Sequence, residues 1–155
     1  MKTLLSIIQK KLKGKKSKMN TTVPYKKIWV NGCFDILHRG HYELFNYAKS
    51  LGTDLIVGID SDEKVAQDKG ADRPFNKLED RVYALESLRD IDQVLVFDNR
   101  DHLEWLIEVN QPDILVVGSD WKGKEIVGGH HAKEIVYFDR IGEYSTTNIL
   151  NNERE

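Results

Sequence analysis

Two imidazoles separated by an arginine and a glycine, His38-Arg39-Gly40-His41, stand where an apolar run, Ile28-Trp29-Val30, has just given way to Asn31-Gly32 and an amphipathic segment begins. A glycine between the histidines lets the backbone come close to a ligand. A helix starting near His41 would turn its unpaired N–H groups and dipole towards the same place, which favours an anion. Imidazoles there suit phosphate oxygens, as hydrogen-bond donors or as partners of developing negative charge. A metal pair is the rival, since i, i+3 spacing can bring two histidines together, but no third ligand is evident nearby. Capping and packing alone is the other alternative.

Other residue types with chemical potential are scattered along the chain. Asn31, Gly32, Phe34 and Asp35 shape the turn after the first apolar run; Gly32 permits close approach, and Phe34 suits packing better than ligand contact. Cys33, the single cysteine, has no partner logic for a nucleophile and reads as a small buried residue. Lys69 by itself reads as a solvated loop lysine, and Arg81 as an ordinary helix-surface arginine. Gly118, Asp120 and Trp121 follow an apolar run, with Trp121 equally able to stack on a base or to cover a sheet end. Ser145, Thr146 and Thr147 open a final helix, where hydroxyls and backbone N–H groups can cap it, receive an anion, or both. His130 and His131 suggest a metal pair at first sight, yet adjacent residues on a helix or loop diverge, which favours solvent exposure or substrate contact.

The elements that must position these residues alternate in type. Short β-branched runs predict strands at 28–30, 55–59, 94–97, 114–117 and 135–138. Helical patterns predict helices at about 41–50, 63–67, 78–88, 102–109 and from 146, the second capped within Asp60-Ser61-Asp62. Strands apolar throughout and separated by helices indicate a parallel sheet buried on both faces. The expected fold class is therefore α/β: a single Rossmann-like doubly wound domain with a five-stranded parallel sheet and helices on both faces. In such sheets ligands bind beyond the carboxyl ends of the strands, near the switch in strand order. Residues 31–41, 60–61 and 118–121 all fall at strand ends and should converge there.

Bulk composition narrows the partners. A length of 155 residues fits one domain, and 40% hydrophobic with 31% charged residues is globular. No apolar run approaches the roughly 18 residues a spanning helix needs. One cysteine excludes an internal disulfide framework and suits a reducing, cytoplasmic compartment. Seven lysines and no acid occupy residues 1–18, leaving 16 basic against 25 acidic residues in the remainder. An acidic body argues against nucleic-acid binding. The domain reading is a basic, flexible extension over 1–24 and a single folded domain over 25–155. Leu4, Leu5, Ile8 and Leu12 could line an amphipathic helix on an anionic membrane; a disordered tail, or a start at Met19, is the plainer reading, so no firm membrane association is expected.

NGCFDILHRGHYELF resembles the nucleotidyltransferase superfamily carrying the HxGH signature, and the likeness covers about residues 26–150. Within it, the chain is most similar to the D-glycero-β-D-manno-heptose 1-phosphate adenylyltransferase branch, through NGCFDILHRGH, LIVGIDSDEKVAQDKGADRPFNKLEDRVYALESL, PDILVVGSDWKGKEIVGG and YSTTNI. Glycerol-3-phosphate cytidylyltransferase is similar too, through GSDWKGK and Arg140, five residues before the STT triplet. Neither pattern is followed throughout: Ile141-Gly-Glu-Tyr144 stands where the cytidylyltransferase pattern has Thr-Glu-Gly-Ile, and Trp121 where tyrosine is common in the heptose branch.

The resemblance implies an enzyme that joins a nucleoside triphosphate to a phosphorylated sugar or polyol and releases pyrophosphate, with Mg²⁺ carried by the nucleotide and no metal held by the protein. The favoured pair is ATP and heptose 1-phosphate; the alternatives are CTP with glycerol 3-phosphate and, more remotely, a non-catalytic nucleotide-binding protein. The resemblance also implies catalytic roles for His38, His41, Lys69 and Arg81, with Lys69 a mobile phosphate ligand and Arg81 facing the site from its helix. Asn31, Gly32, Phe34, Asp35, Gly40, Gly118, Asp120, Ser145, Thr146 and Thr147 are the implied nucleotide contacts, and Trp121 and Arg140 candidate substrate contacts. Relatives are commonly homodimers, although no residue here demonstrates an interface. Some carry a sugar kinase in the same chain, for which the expectation here is a separate protein.

Overall fold

The computed structural model describes residues 24–152, so the expectation of a basic extension lies outside the described residues except at Pro24. Elements follow one another as β1 (Lys27–Gly32), α1 (Arg39–Ser50), β2 (Asp54–Asp60), α2 (Asp62–Lys69), α3 (Leu78–Glu86), β3 (Gln93–Phe97), α4 (Arg100–Asn110), β4 (Ile114–Gly118), β5 (Glu134–Phe138) and α5 (Thr146–Asn152), with short 3₁₀ turns at Ser119–Trp121 and Gly129–His131. All four strand pairings are parallel, in the order β3-β2-β1-β4-β5. The chain winds one way from β1 to β3 and then returns to place β4 on the other side of β1. That reversal creates a crevice at the carboxyl ends of β1 and β4.

Alternation along the strands divides the core into two layers. Ile28 and Val30 of β1 and Leu55, Val57 and Ile59 of β2 face one side, where Phe45 and Ala48 of α1 and Leu85 of α3 cover them. Trp29 and Ile56, pointing the other way, pack with Leu103, Leu106 and Ile107 of α4. Helices therefore lie on both faces, as the fold class requires. The outer strand β5 is only half-buried along its apolar residues and β3 is nearly so, because each has one neighbour and an incomplete helical cover. The sequence expectation of strands buried on both faces holds for β1, β2 and β4.

Two boundary differences bear on the site. Helix α1 starts at Arg39 rather than His41, with His38 as its N-cap residue in an extended conformation. The expected helix 78–88 stops at Glu86, where Leu88 turns back through its N–H to the Leu85 carbonyl while its side chain still packs on the core. Among the described residues no helix is long and apolar enough to cross a membrane.

Candidate active site

The crevice is built outward from the end of β1. Phe34 adopts a left-handed backbone (φ 46°) and is buried, its ring against Phe45 and edge-on to His41 at 5.3 Å. The sharp turn it makes carries the chain across the sheet end to α1. No acidic side chain occupies the first turn of α1, which leaves its N-terminal dipole free for an anion.

His38 and His41 stack there, ring centroids 3.8 Å apart at 24°. Gly40 explains the residue between them: a Cβ on it would come within 3.0 Å of the His38 ring and 3.4 Å of Tyr144 Cβ. The His38 side chain makes no capping hydrogen bond, so capping does not account for it. Both Nδ1 atoms are buried without a hydrogen-bond partner among the described residues. An unpartnered lone pair costs less than an unpartnered N–H, which favours the tautomer with its proton on Nε2, the nitrogen left to donate to a ligand.

Electrostatics point the same way. Burial, then the neighbouring His38 and Lys69, pushes the pKa of His41 down to about 3. Burial and Arg140 lower that of His38. Both rings are held neutral in a cationic cleft, a state an incoming polyanion would relieve. The linkage has a definite sign. Unfolded His41 takes up a proton near pH 6.5 while folded His41 does not, so its stabilising contribution is complete above pH 6.5 and lost as pH falls towards 3. Between pH 7 and pH 5 this amounts to about 1–2 kcal/mol. Urea denaturation at the two pH values should therefore show a smaller acid loss in His41→Ala than in the parent; equal losses would mean the imidazole titrates normally.

Two cavities flank this point. The first, about 500 Å³, is lined by His38, Gly40, His41, Asp120 and the segment from Arg140 to Thr147 apart from Gly142 and Glu143. The second, about 550 Å³, lies over β1, β2 and α4 and includes Asn31, Gly32, Cys33, Asp60, Lys64 and Arg100. Lys69, Gly118, Trp121 and Arg140 line both. Arg140 approaches Asp120 at 3.6 Å, but both are largely exposed, so the pair contributes little and either can turn to a ligand.

The expected site residues that line the cavities fall into three groups. His38, Gly40, His41, Asp120, Ser145, Thr146 and Thr147 gather in the first cavity, Asn31 and Gly32 in the second, and Lys69, Gly118, Trp121 and Arg140 at the junction. Ser145 Oγ accepts from the Asn148 N–H as a helix cap, and the Thr146 hydroxyl donates to the Ile36 carbonyl at 3.1 Å, pinning α5 to the turn before α1.

Phe34, Asp35 and Arg81 line neither cavity. Asp35 is buried and accepts from the Phe75 and Asn76 N–H groups, both at 2.8 Å, and from Arg73 Nε at 3.2 Å. These contacts hold the loop after α2. Arg81, expected to face the site, is instead fully buried: Nη1 donates to the Cys33 carbonyl, Nε to the Asn76 carbonyl and Nη2 to Asp62 Oδ1. The guanidinium thus finds its acceptors on two backbone carbonyls and the Asp62 carboxylate, behind the β1 turn.

Three features add to the sequence reading, which brought residues 31–41 and 60–61 to the sheet end without giving Cys33 or Asp60 a part there and did not single out Lys64 or Tyr144. Cys33, expected to be buried, is half-buried at the second cavity, and that burial raises its thiol pKa; a raised pKa disfavours a nucleophilic role. Asp60 and Lys64, 3.4 Å apart, form a polar wall of the same cavity, and burial raises the Asp60 pKa. Tyr144 flanks His38 with ring centroids 6.4 Å apart. Their signal was weak because each looks like a cap, a surface pair or a loop aromatic until the sheet ends are brought together. The expected divergence of His130 and His131 also fails: their rings lie 3.9 Å apart, because a tight 3₁₀ turn, not a regular helix, carries them.

A family model described as cytidylyltransferase-like matches residues 29–152. A bifunctional protein HldE from a Nitratiruptor species is 48% identical over 127 residues, covering 82% of this chain and 27% of that protein. Its namesake from Helicobacter hepaticus is 45% identical over 125 residues, covering 81% and 26%. The chain spans about a quarter of the length of the curated relatives it matches. Among solved structures, the lipopolysaccharide core biosynthesis protein from Thermoplasma volcanium superposes with a TM-score of 0.59 at 26% identity, covering 77% of this chain and 98% of that one.

Proposed function

The chain belongs to the cytidylyltransferase-like family and is a nucleotidyltransferase, and we propose that it joins ATP to D-glycero-β-D-manno-heptose 1-phosphate, giving ADP-heptose and pyrophosphate. The observation that carries this reading is the pair of cavities meeting at Lys69, Gly118, Trp121 and Arg140 beside the stacked histidines. Two chambers opening on one cationic point suit a transfer between two phosphorylated substrates. The relatives named HldE and the likeness of RPFNKLEDR and EIVGG to the heptose branch support the choice of substrates.

In this reading the triphosphate lies in the first cavity. His38 and His41 donate from Nε2 to its phosphate oxygens, the α1 N-terminus adds its dipole, and Gly118, Asp120 and Trp121 adjoin ribose and base. The acceptor occupies the second cavity, where Asp60, Lys64 and Arg100 supply polar contacts for a sugar. Its phosphate, with a second pKa of about 6, is already largely dianionic at pH 7 and needs no general base. One acceptor oxygen attacks the α-phosphorus, a new P–O bond forms, and the bond to the pyrophosphate oxygen breaks. Catalysis is positioning plus charge stabilisation: Lys69 and Arg140 at the junction neutralise the approach of one anion to another.

Mg²⁺, which the family fold implies, would neutralise phosphate oxygens when bound. The first cavity offers nitrogen donors and the single carboxylate Asp120, a set that suits a cation held mainly by the nucleotide's own oxygens. Arg140 and GSDWKGK favour a second reading, CTP with glycerol 3-phosphate. Pyrophosphate release measured with ATP, CTP, GTP and UTP against both acceptors tests the two. ATP with heptose 1-phosphate should give the highest kcat/KM; a higher value for CTP with glycerol 3-phosphate would transfer the assignment, and no turnover with any pair would defeat both.

A further inference from the structure

We propose that His130, His131 and Glu104 form a binding site for a divalent transition-metal ion of the zinc class, separate from the nucleotide cleft. His130 Nε2 lies 3.5 Å and His131 Nε2 3.8 Å from the same oxygen, Glu104 Oε1. All three ligand atoms fall within 4.8 Å of one another. Those separations are long for hydrogen bonds. They approach the spacing of ligands around an ion: with metal–nitrogen and metal–oxygen distances of about 2.0–2.2 Å, tetrahedral ligands stand about 3.3–3.6 Å apart, a range that the 3.5 Å separation meets and the 3.8 Å one slightly exceeds. Small side-chain rotations would bring the three into coordination.

The fold builds this convergence. Gly128 takes a left-handed backbone (φ 69°), and a Cβ on it would meet Ile107 Cδ1 at 2.7 Å. The turn can therefore lie directly on α4. The His131 N–H donates to the Gly128 carbonyl at 3.0 Å, closing the 3₁₀ turn that points both imidazoles the same way. Glu104 sits one turn before Ile107 on the same side of α4, so the contact that seats the turn also presents the carboxylate. The His131 side chain is 23% exposed and that of His130 68%: one ligand is held by packing and the other leaves a path for the ion.

Two imidazoles and one carboxylate select zinc-like ions over Mg²⁺, which prefers an all-oxygen shell. The fourth position is open to water. Such an ion would tie residues 119–131 to α4, reinforcing the Arg100–Glu125 ion pair at 2.6 Å. Trp121, Ile126 and Val127 of that segment line the second cavity, so the tie would brace one wall of the proposed acceptor chamber.

The test is titration of chelator-treated protein with Co²⁺, read by the visible absorption of tetrahedral cobalt, and with Zn²⁺ by calorimetry. The parent chain should bind one ion and gain thermal stability from Zn²⁺. His130→Ala and Glu104→Gln, both partly exposed positions, should fold normally by circular dichroism and weaken binding by at least about 10- to 100-fold, the loss that even an outer partner of a ligand produces. His41→Ala should bind as the parent does. No saturable binding would overturn the proposal, as would full affinity in the His130 and Glu104 variants or a site lost with His41.

Discussion

Replacing His41 with alanine is expected to lower kcat by about 100- to 1,000-fold, the range for removing one pre-positioned donor to transition-state charge. The ring has no hydrogen-bond partner at Nδ1 among the described residues and a depressed pKa of about 3. With Nδ1 buried and the ring kept neutral, Nε2 is the nitrogen left to donate, which is the state expected of a group that serves a phosphate oxygen. Loss of the donor should appear mainly in kcat, because charge on the bridging oxygens grows only as the α-phosphorus exchanges bonds. The core residues Phe34 and Phe45 keep each other's contact, at 5.0 Å, so cooperative unfolding should persist. Steady-state pyrophosphate release together with a denaturation curve checks both halves. A variant with near-parental turnover would remove His41 from the chemistry.

Arg81→Met should destabilise the fold by about 3–5 kcal/mol, the cost typical of breaking a buried ionic network by deleting one member. Its guanidinium is fully buried and donates to two backbone carbonyls and a carboxylate. Methionine retains much of the volume but leaves the Cys33 and Asn76 carbonyls without their donor. Asp62 is 28% exposed and can recover water, which places the loss towards the lower figure. Because Cys33 follows the last residue of β1 and Lys69 ends α2, kcat should also fall although Arg81 touches neither cavity. A chemical denaturation midpoint unchanged from the parent would show that the arginine bears no weight in the fold.

These two residues illustrate what could be read from the chain and what could not. HxGH was legible because two imidazoles around a glycine at a strand-to-helix change have few structural uses, and Gly40 lies against the His38 ring where a side chain would crowd it. Arg81 stood out only through the family resemblance, and its direction was not legible. On an isolated helix of LEDRVYALE it occupies a polar position, and only the placement of α3 against the β1 turn decides that its head enters the interior. Asp35 is the same case: an acid in a turn suggests a ligand contact until the loop 73–76 folds over it with three donors.

The pair at 130–131 shows the limit from the other side. Adjacent side chains diverge on regular elements, and the sequence offers no reason to expect otherwise. Gly128 and Ile107, distant in the chain, create the turn that makes them converge with Glu104.

What the sequence alone determined is the order and kind of the elements and the family signature at the first strand end, because hydrophobic period, caps and glycines act over a few neighbouring residues. The tertiary structure decided which polar groups face a cavity and which are sealed behind it. That choice depends on helix orientation across the sheet and on contacts between residues far apart in the chain, such as Thr146 with Ile36, and no local pattern encodes it.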